Sequence, residues 1–158
     1  MKSFFLVLLF TSFFQYLHCK EIKNYKFILL DIKNDKKYSD WGVHPVDIRS
    51  KYNKEKRAID GARLAIKDSK KFERLTGTNF TLDYLSLENE KELKEFFKKK
   101  NSSSYNAILL DLNEEKIINI VNQFKTNNNQ IYFNISETSN KLRNNICLEN
   151  FLHIFPSN

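Results

Sequence analysis

The sequence predicts one α/β domain, a three-layer open parallel sheet of about five strands with helices on both faces. Short, nearly continuous apolar runs such as Tyr25 to Ile32 (YKFILLDI) and Tyr105 to Leu112 (YNAILLDL) are typical of strands buried on both faces. Segments with helical spacing of apolar residues lie between such runs. Strands separated by helices run parallel with right-handed crossovers, so the alternation indicates a single open sheet.

The first strand–helix–strand unit extends from Tyr25 to Leu87. A helix predicted from about Lys54 to Lys71 carries small residues that would let it lie close to a sheet: Ala58, Gly61, Ala62 and Ala65. Gly77 then supplies a turn, and a second strand is expected from about Phe80 to Leu87. The connection from Lys33 to Asn53 is unusually long, and long connections are often functional.

The rest of the chain repeats this alternation. A helix from Glu88 to Lys100 has acids at its start and lysines at its end, as the helix dipole favours. Asn113 is suited to cap a third helix after the strand that ends at Leu112. The remaining expected elements are a fourth strand at Gln130–Ile135, a loop or short helix at Ser136–Arg143 and a fifth strand at Phe151–Phe155.

Residues 1–19 have the order of a secretory signal peptide. Lys2 provides the positive start, and Phe4 to Phe14 is an apolar run shorter than the roughly 20 residues that span a bilayer. Leu17 and Cys19 would occupy the −3 and −1 positions of a cut before Lys20. The order predicts export to the periplasm or beyond, with residues 20–158 as a single α/β lobe. An uncleaved anchor, a buried N-terminal element and a lipoprotein cut before Cys19 are the alternatives.

Charge and cysteine content exclude several classes of partner. The net charge is +7, and it stays at +6 without residues 1–19, but the lysines are scattered among acids rather than clustered. This pattern is typical of a solvated surface, so no nucleic-acid partner is expected. Without Cys19, Cys147 has no partner for an internal disulfide. No Cys/His spacing indicates a metal site, and no cofactor is expected.

Candidate site residues come from the carboxyl ends of the predicted strands, where ligands meet sheets of this kind. The residues we expect to bind a ligand are Asp111, Asn113, Ser136, Thr138 and Ser139. Hydroxyls and backbone N–H groups after the fourth strand are suited to an anionic ligand at a helix start. The alternative is that these residues simply cap helices.

Catalytic signatures are absent from the sequence. Its glycines, Gly42, Gly61 and Gly77, form no phosphate-cradling loop, and no G-x-S-x-G motif is present. Asp31 and Asp111 both end strands, and ILLDL resembles the phospho-acceptor strand of response-regulator receiver domains. Their wide separation in sequence and the lack of a lysine after the last strand argue against this remote alternative. We therefore expect no enzymatic activity.

Two segments carry a resemblance to a known family. Ala58 to Ser69 (AIDGARLAIKDS) resembles the first helix of type I periplasmic substrate-binding proteins of ABC transporters, including the branched-chain amino-acid binders, with its pattern G-A-x-L-A-x-x-D/E. Ile131 to Ser157 (IYFNISETSNKLRNNICLENFLHIFPS) resembles the branch found with pyrroloquinoline-quinone-dependent alcohol dehydrogenase systems. The resemblance covers most of the chain after the signal segment.

The resemblance implies the first lobe of such a protein, with the flavodoxin-like strand order and the second lobe absent. In amino-acid-binding relatives, the loops after the third and fourth strands grip the ligand carboxylate, and the matching places here are Asp111 to Asn113 and Ile135 to Ser139. An acid at the first place departs from the small residues of amino-acid binders. The implied function is reversible capture of a small molecule for an ABC uptake system, with a permease or periplasmic protein as partner and only transient membrane association. The alternative is a periplasmic protein-interaction module.

Overall fold

The computed structural model describes residues 21–33, 35, 57–98, 101–123, 130–145 and 148–154. The predicted signal segment, most of the connection from Lys33 to Asn53, and Cys147 lie outside these ranges.

Five parallel strands form one sheet in the order β2-β1-β3-β4-β5. The strands are β1 (Lys23–Ile32), β2 (Thr78–Leu87), β3 (Ala107–Asp111), β4 (Ile131–Asn134) and β5 (Phe151–His153). All lie where the apolar runs predicted them, with ends shifted by at most two residues. The all-parallel pairing and the strand order confirm the predicted α/β class and its flavodoxin-like arrangement.

Helices connect the strands. They are α1 (Ala58–Ser69), α2 (Glu73–Thr76), α3 (Glu90–Lys98), α4 (Glu114–Gln123) and α5 (Asn140–Asn145), with 3₁₀ turns at Lys70–Phe72 and Asn101–Ser104. Helix α3 begins two residues later than predicted because Asn89 caps it, its Oδ1 accepting hydrogen bonds from the N–H groups of Lys91 and Glu92. Gly77 adopts a left-handed φ of 65° at the end of α2 and turns the chain into β2, as expected.

The core lies between one face of the sheet and helices α3 and α4. Alternate residues of the two central strands supply the sheet side, namely Ile28, Leu30, Ile32, Ile108 and Leu110. The helices supply the other side with Leu93, Phe96, Phe97, Ile117, Ile120 and Val121. Because these apolar stripes face each other, the sheet is held rigidly, and its strand ends are fixed in space.

Helix α1 forms within the predicted segment but begins at Ala58 rather than near Lys54, because the backbone of Arg57 is extended. Its row of small residues does not lie flat on the sheet. Ile59 is its buried residue, whereas Gly61 and Ala65 are exposed, and a Cβ at Gly61 would meet no atom within 4 Å. The reason is position: α1 packs mainly against β2, at the edge of the described sheet, where one inward stripe is enough to cover it.

None of the described helices is long and apolar enough to cross a bilayer.

Candidate functional site at the carboxyl edge of the sheet

Asp31 and Asp111 are direct partners in the register of the neighbouring strands β1 and β3. Since opposed residues of parallel strands point to the same face, the two carboxylates share one side of the sheet. Both are buried, with 0% and 1% of their surface exposed. Although 80 residues separate them in sequence, strand order makes them neighbours. The argument that they lie too far apart to act together is therefore wrong.

The position of this pair within the sheet matters. The chain passes from β1 outward to β2 on one side, and returns to β3 on the other side of β1. The direction of winding thus reverses between β1 and β3, and ligands of open α/β sheets bind in the crevice at such a reversal, outside the carboxyl ends of the strands. Asp31 and Asp111 are opposed at this reversal, near the carboxyl ends of β1 and β3.

Asp31 is held by two side chains from different elements. Arg57, just before α1, places Nη1 3.0 Å from Oδ2 of Asp31, and Tyr84 of β2 donates its hydroxyl to the same oxygen at 2.7 Å. Arg57 also donates from Nη2 to the carbonyl of Lys33 at 2.7 Å. Burial is the main cause that raises the pKa of Tyr84 above its ordinary value. Oδ1 of Asp31 is also buried, and none of the residues that the structure describes forms a hydrogen bond with it.

A second buried ion pair joins the segment after β1 to helix α4. Lys116 places Nζ 2.9 Å from Oδ2 of Asp35, a residue that is 3% exposed. Two cations from separate elements thus neutralise two buried carboxylates near the same edge. These pairs fix the start of the β1–α1 connection against the body of the fold.

Asn113 acts as the predicted helix cap. Its Oδ1 accepts a hydrogen bond from the N–H of Lys116 at 3.1 Å, which satisfies one of the free amides at the start of α4. The neighbouring amide of Glu114 donates to Oε2 of Glu137 at 3.2 Å. Glu137 therefore ties the loop after β4 to the start of α4, and brings the loop residues Ser136, Thr138 and Ser139 beside Asn113.

Glu137 also binds the amides that the sequence assigned to an anionic ligand. Its Oε1 accepts hydrogen bonds from the N–H groups of Thr138 and Ser139 at 2.9 and 3.1 Å. The hydroxyl of Ser139 accepts the N–H of Lys141 at 3.2 Å and so caps α5. In this arrangement the protein's own carboxylate takes the place expected for a ligand carboxylate, and Ser139 serves as a cap.

Sequence reasoning missed Asn134, and it placed Glu137 among the polar residues of this loop without assigning it a role; these two residues organise the loop. Asn134 ends β4, is fully buried, and binds the loop backbone through both atoms of its amide. An amide at the last position of a buried strand was the available signal, because a buried polar side chain needs local partners. The role of Glu137 depends on how close the start of α4 lies to the loop after β4, which the sequence does not reveal.

The described surface also contains a groove of about 870 Å³. It runs beside β2 and is lined by residues of both sheet faces, among them Ile59, Arg63, Asp83, Tyr84, Phe96 and Tyr105. None of the five predicted ligand residues lines it. The groove and the carboxyl edge nevertheless share Tyr84, which lines the groove and donates its hydroxyl to Asp31.

Comparisons with protein-family models, curated proteins and solved structures found no match for this chain. Within the described ranges, no group of three or more His, Cys, Asp or Glu side chains is arranged to hold a metal ion. The geometry of the edge is therefore the basis for any functional conclusion.

Proposed function

We propose that this chain is an exported, non-enzymatic capture protein that binds a small molecule reversibly at the carboxyl edge of its sheet. It would act as the first lobe of a type I periplasmic substrate-binding protein in an ABC uptake system. A transporter permease or another periplasmic protein would be its partner. The uptake system would be of the kind that accompanies alcohol oxidation.

The observation that carries the proposal is the buried pair Asp31 and Asp111 at the reversal between β1 and β3. Buried polar groups at a crevice of this kind are the usual means by which an open α/β sheet orients a ligand. Glu137 joins the loop after β4 to the start of α4, close in sequence to Asp111. The amides of Thr138 and Ser139 already hold Glu137, and the side chains of Asn113 and Ser139 cap helices. The contacts with a ligand would therefore come from the side chains of Asp111, Ser136 and Thr138.

Thermal unfolding with a panel of amino acids, amines, organic acids and small alcohols tests the proposal. A ligand present at 100 times its Kd stabilises the folded state by about 2.7 kcal/mol, a rise in Tm that is easily measured. Asp111→Asn should abolish the rise for the active compound, whereas Glu115→Gln, exposed on α4, should leave it intact. The proposal fails if no compound of the panel raises the Tm of the wild-type protein.

Export is tested separately. The full chain, produced in a bacterium, should be recovered from the periplasm with Lys20 as its first residue. A Leu17→Arg change at the −3 position should leave the chain uncleaved. Recovery of the wild-type chain in the cytoplasm, with Met1 or Lys2 at its start, would contradict export.

A protein-interaction module is the second candidate, and strand β2 favours it. β2 is ten residues long, contains no Lys, Arg or Pro, and forms the outer strand of the described sheet beside the 870 Å³ groove. Long edge strands without such residues readily pair with other chains. An Asp83→Lys change, at a side chain that is 46% exposed, should then weaken partner binding while leaving ligand-dependent stabilisation unchanged.

One observation supports the phospho-acceptor alternative, and another opposes it. Asp31 and Asp111 do lie side by side, but the last described strand ends at His153, where receiver domains carry lysine. Treatment with acetyl phosphate and Mg²⁺ is the direct test, and a mass increase of one phosphoryl group that vanishes in Asp111→Asn would establish it.

A further inference from the structure

Asn134 holds the loop after β4 through its side-chain amide. Oδ1 accepts hydrogen bonds from the N–H groups of Ser136 and Glu137 at 3.3 and 2.9 Å, and Nδ2 donates to the carbonyl of Glu137 at 2.7 Å. Backbone N–H groups only donate and carbonyls only accept, so these three bonds fix which end of the amide carries the oxygen. The side chain cannot flip without losing all three.

This fixed orientation determines the protonation of His153. Nδ2 of Asn134 lies 3.0 Å from Nδ1 of His153, its register partner on β5. Because Nδ2 can only donate, Nδ1 must accept, and an imidazole nitrogen accepts only when it carries no proton. The ring in this structure is therefore neutral, with its proton on Nε2.

The surroundings of His153 disfavour a positive ring. Burial lowers the pKa of His153 below its ordinary value, and the positive charge of Arg143 on α5 lowers it further. From its own strand, Phe151 packs edge-to-face with the ring at 5.0 Å between centroids. From β4 the ring meets the neutral amide of Asn134, and the nearest loop carboxylate, Glu137, is engaged by the amides of Thr138, Ser139 and Glu114.

We propose that His153 is an acid-sensitive latch for the loop of residues 135–139. Protonation of Nδ1 would place two donors face to face, and the fully buried Asn134 amide would lose its partner on β5. Asn134 then either moves away or flips, and either change breaks its hydrogen bonds to Ser136 and Glu137. The loop is therefore ordered when His153 is neutral and released when it is charged.

The release reaches the start of α4. Glu137 caps that helix through the amide of Glu114, and it holds this position because Asn134 grips its own N–H and carbonyl. A proton taken up at β5 thus changes the geometry at Asn113 and at the loop residues Ser136, Thr138 and Ser139. This inference concerns the loop itself, and it stands whether or not the edge captures a small molecule.

Nuclear magnetic resonance across pH 4.5–8 tests the latch in the full-length protein. At pH 8, ¹⁵N shifts of the ring should show Nδ1 without a proton and Nε2 with one. On acidification, the backbone amide signals of Ser136 and Glu137 should move with the same midpoint as the His153 ring, below the ordinary histidine value of about 6.5. A proton on Nδ1 at pH 8, or loop amides that do not follow the ring, would overturn the proposal.

His153→Gln is the matched variant, because its side-chain oxygen can accept from Asn134 but does not titrate. Its loop amides should keep their neutral-pH positions through the pH range in which the His153 ring of the wild type titrates. His44→Gln removes another histidine and should leave the co-titration of the loop unchanged. If loop movement persisted in His153→Gln, the trigger would lie elsewhere and the latch would be refuted.

Discussion

Arg57 lies 3.0 Å from the fully buried carboxylate of Asp31 and is itself largely buried, with 17% of its side chain exposed. It also donates to the carbonyl of Lys33, so one side chain joins the start of α1 to the end of β1. A surface ion pair of equal length would be screened by water and salt, whereas this pair is enclosed. Arg57 thus neutralises a buried carboxylate and links two chain segments at the carboxyl edge near β1.

Arg57→Met should destabilise the protein by about 3 kcal/mol, because it leaves the buried Asp31 charge without its cation while keeping a side chain of similar length. Urea unfolding at pH 7 measures the change. Lys71→Met is the control: its pair with Asp68 has a similar N···O distance, 2.8 Å, but is exposed, and its loss should cost less than about 0.5 kcal/mol. Equal losses in the two variants would show that the Arg57 pair is no more enclosed than a surface pair.

Glu137→Ala should destabilise the protein by about 1–2 kcal/mol, since it removes a carboxylate that accepts hydrogen bonds from three backbone amides. The change should also speed hydrogen exchange at Glu114, Thr138 and Ser139. Glu115 follows Glu114 on α4 and is exposed, so Glu115→Ala should alter none of these exchange rates. Slow exchange that survives in Glu137→Ala would mean that the amides have other acceptors.

Much of the fold could be predicted from local pattern. The runs YKFILLDI and YNAILLDL gave two strands nearly in full, because a strand covered on both faces must be apolar at almost every position. Asn113 was identified as a helix cap since its chemistry acts within three residues. Helix α1 was located by spacing, but its exposure was not, because coverage depends on where the helix sits relative to the sheet edge.

The candidate site was only half predictable for a related reason. Parallel strands place their carboxyl ends at one edge, so the loops at Asp111 and Ser136 could be named in advance. That Asp31 pairs with Asp111 depends on strand order, which sequence spacing does not reveal and in fact obscured. That Glu137 occupies the amides of Thr138 and Ser139 depends on the rotamer of one side chain.

Arg143→Gln should raise the pKa of His153 part of the way toward its ordinary value. Burial is the larger cause of the lowered pKa and remains, whereas the cationic contribution is removed. Titration of the ring by nuclear magnetic resonance measures the shift. Lys141→Gln removes a charge from the same helix at an exposed position and should leave the pKa of His153 where it is.

The same lowered pKa fixes the sign of one component of the pH dependence of stability. The folded state binds the His153 proton less readily than the unfolded chain does. The contribution of His153 to folding stability is therefore complete above its pKa in the unfolded chain, about 6.5. It is lost as the pH falls through the lower folded value. Urea midpoints between pH 7.5 and 5 should therefore fall more steeply for the wild type than for His153→Gln. Parallel curves would show that His153 titrates alike in both states.

Leu110→Ala should be among the most damaging single changes, with a loss of about 3 kcal/mol. Leu110 is fully buried in β3, and it belongs to the face that packs against α3 and α4. Shortening it opens a cavity that rigid strands on either side cannot close, since β1 and β4 are both hydrogen-bonded to β3. Leu75→Ala deletes the same atoms from a side chain that is 78% exposed and should cost less than about 0.5 kcal/mol.

Because Asp111 follows Leu110 directly, the cavity in Leu110→Ala should also loosen the carboxyl edge. The rates of hydrogen exchange at Leu112 and Asn113 should then rise in Leu110→Ala beyond what global destabilisation accounts for. Exchange that follows global unfolding alone would show that the edge is held independently of this part of the core.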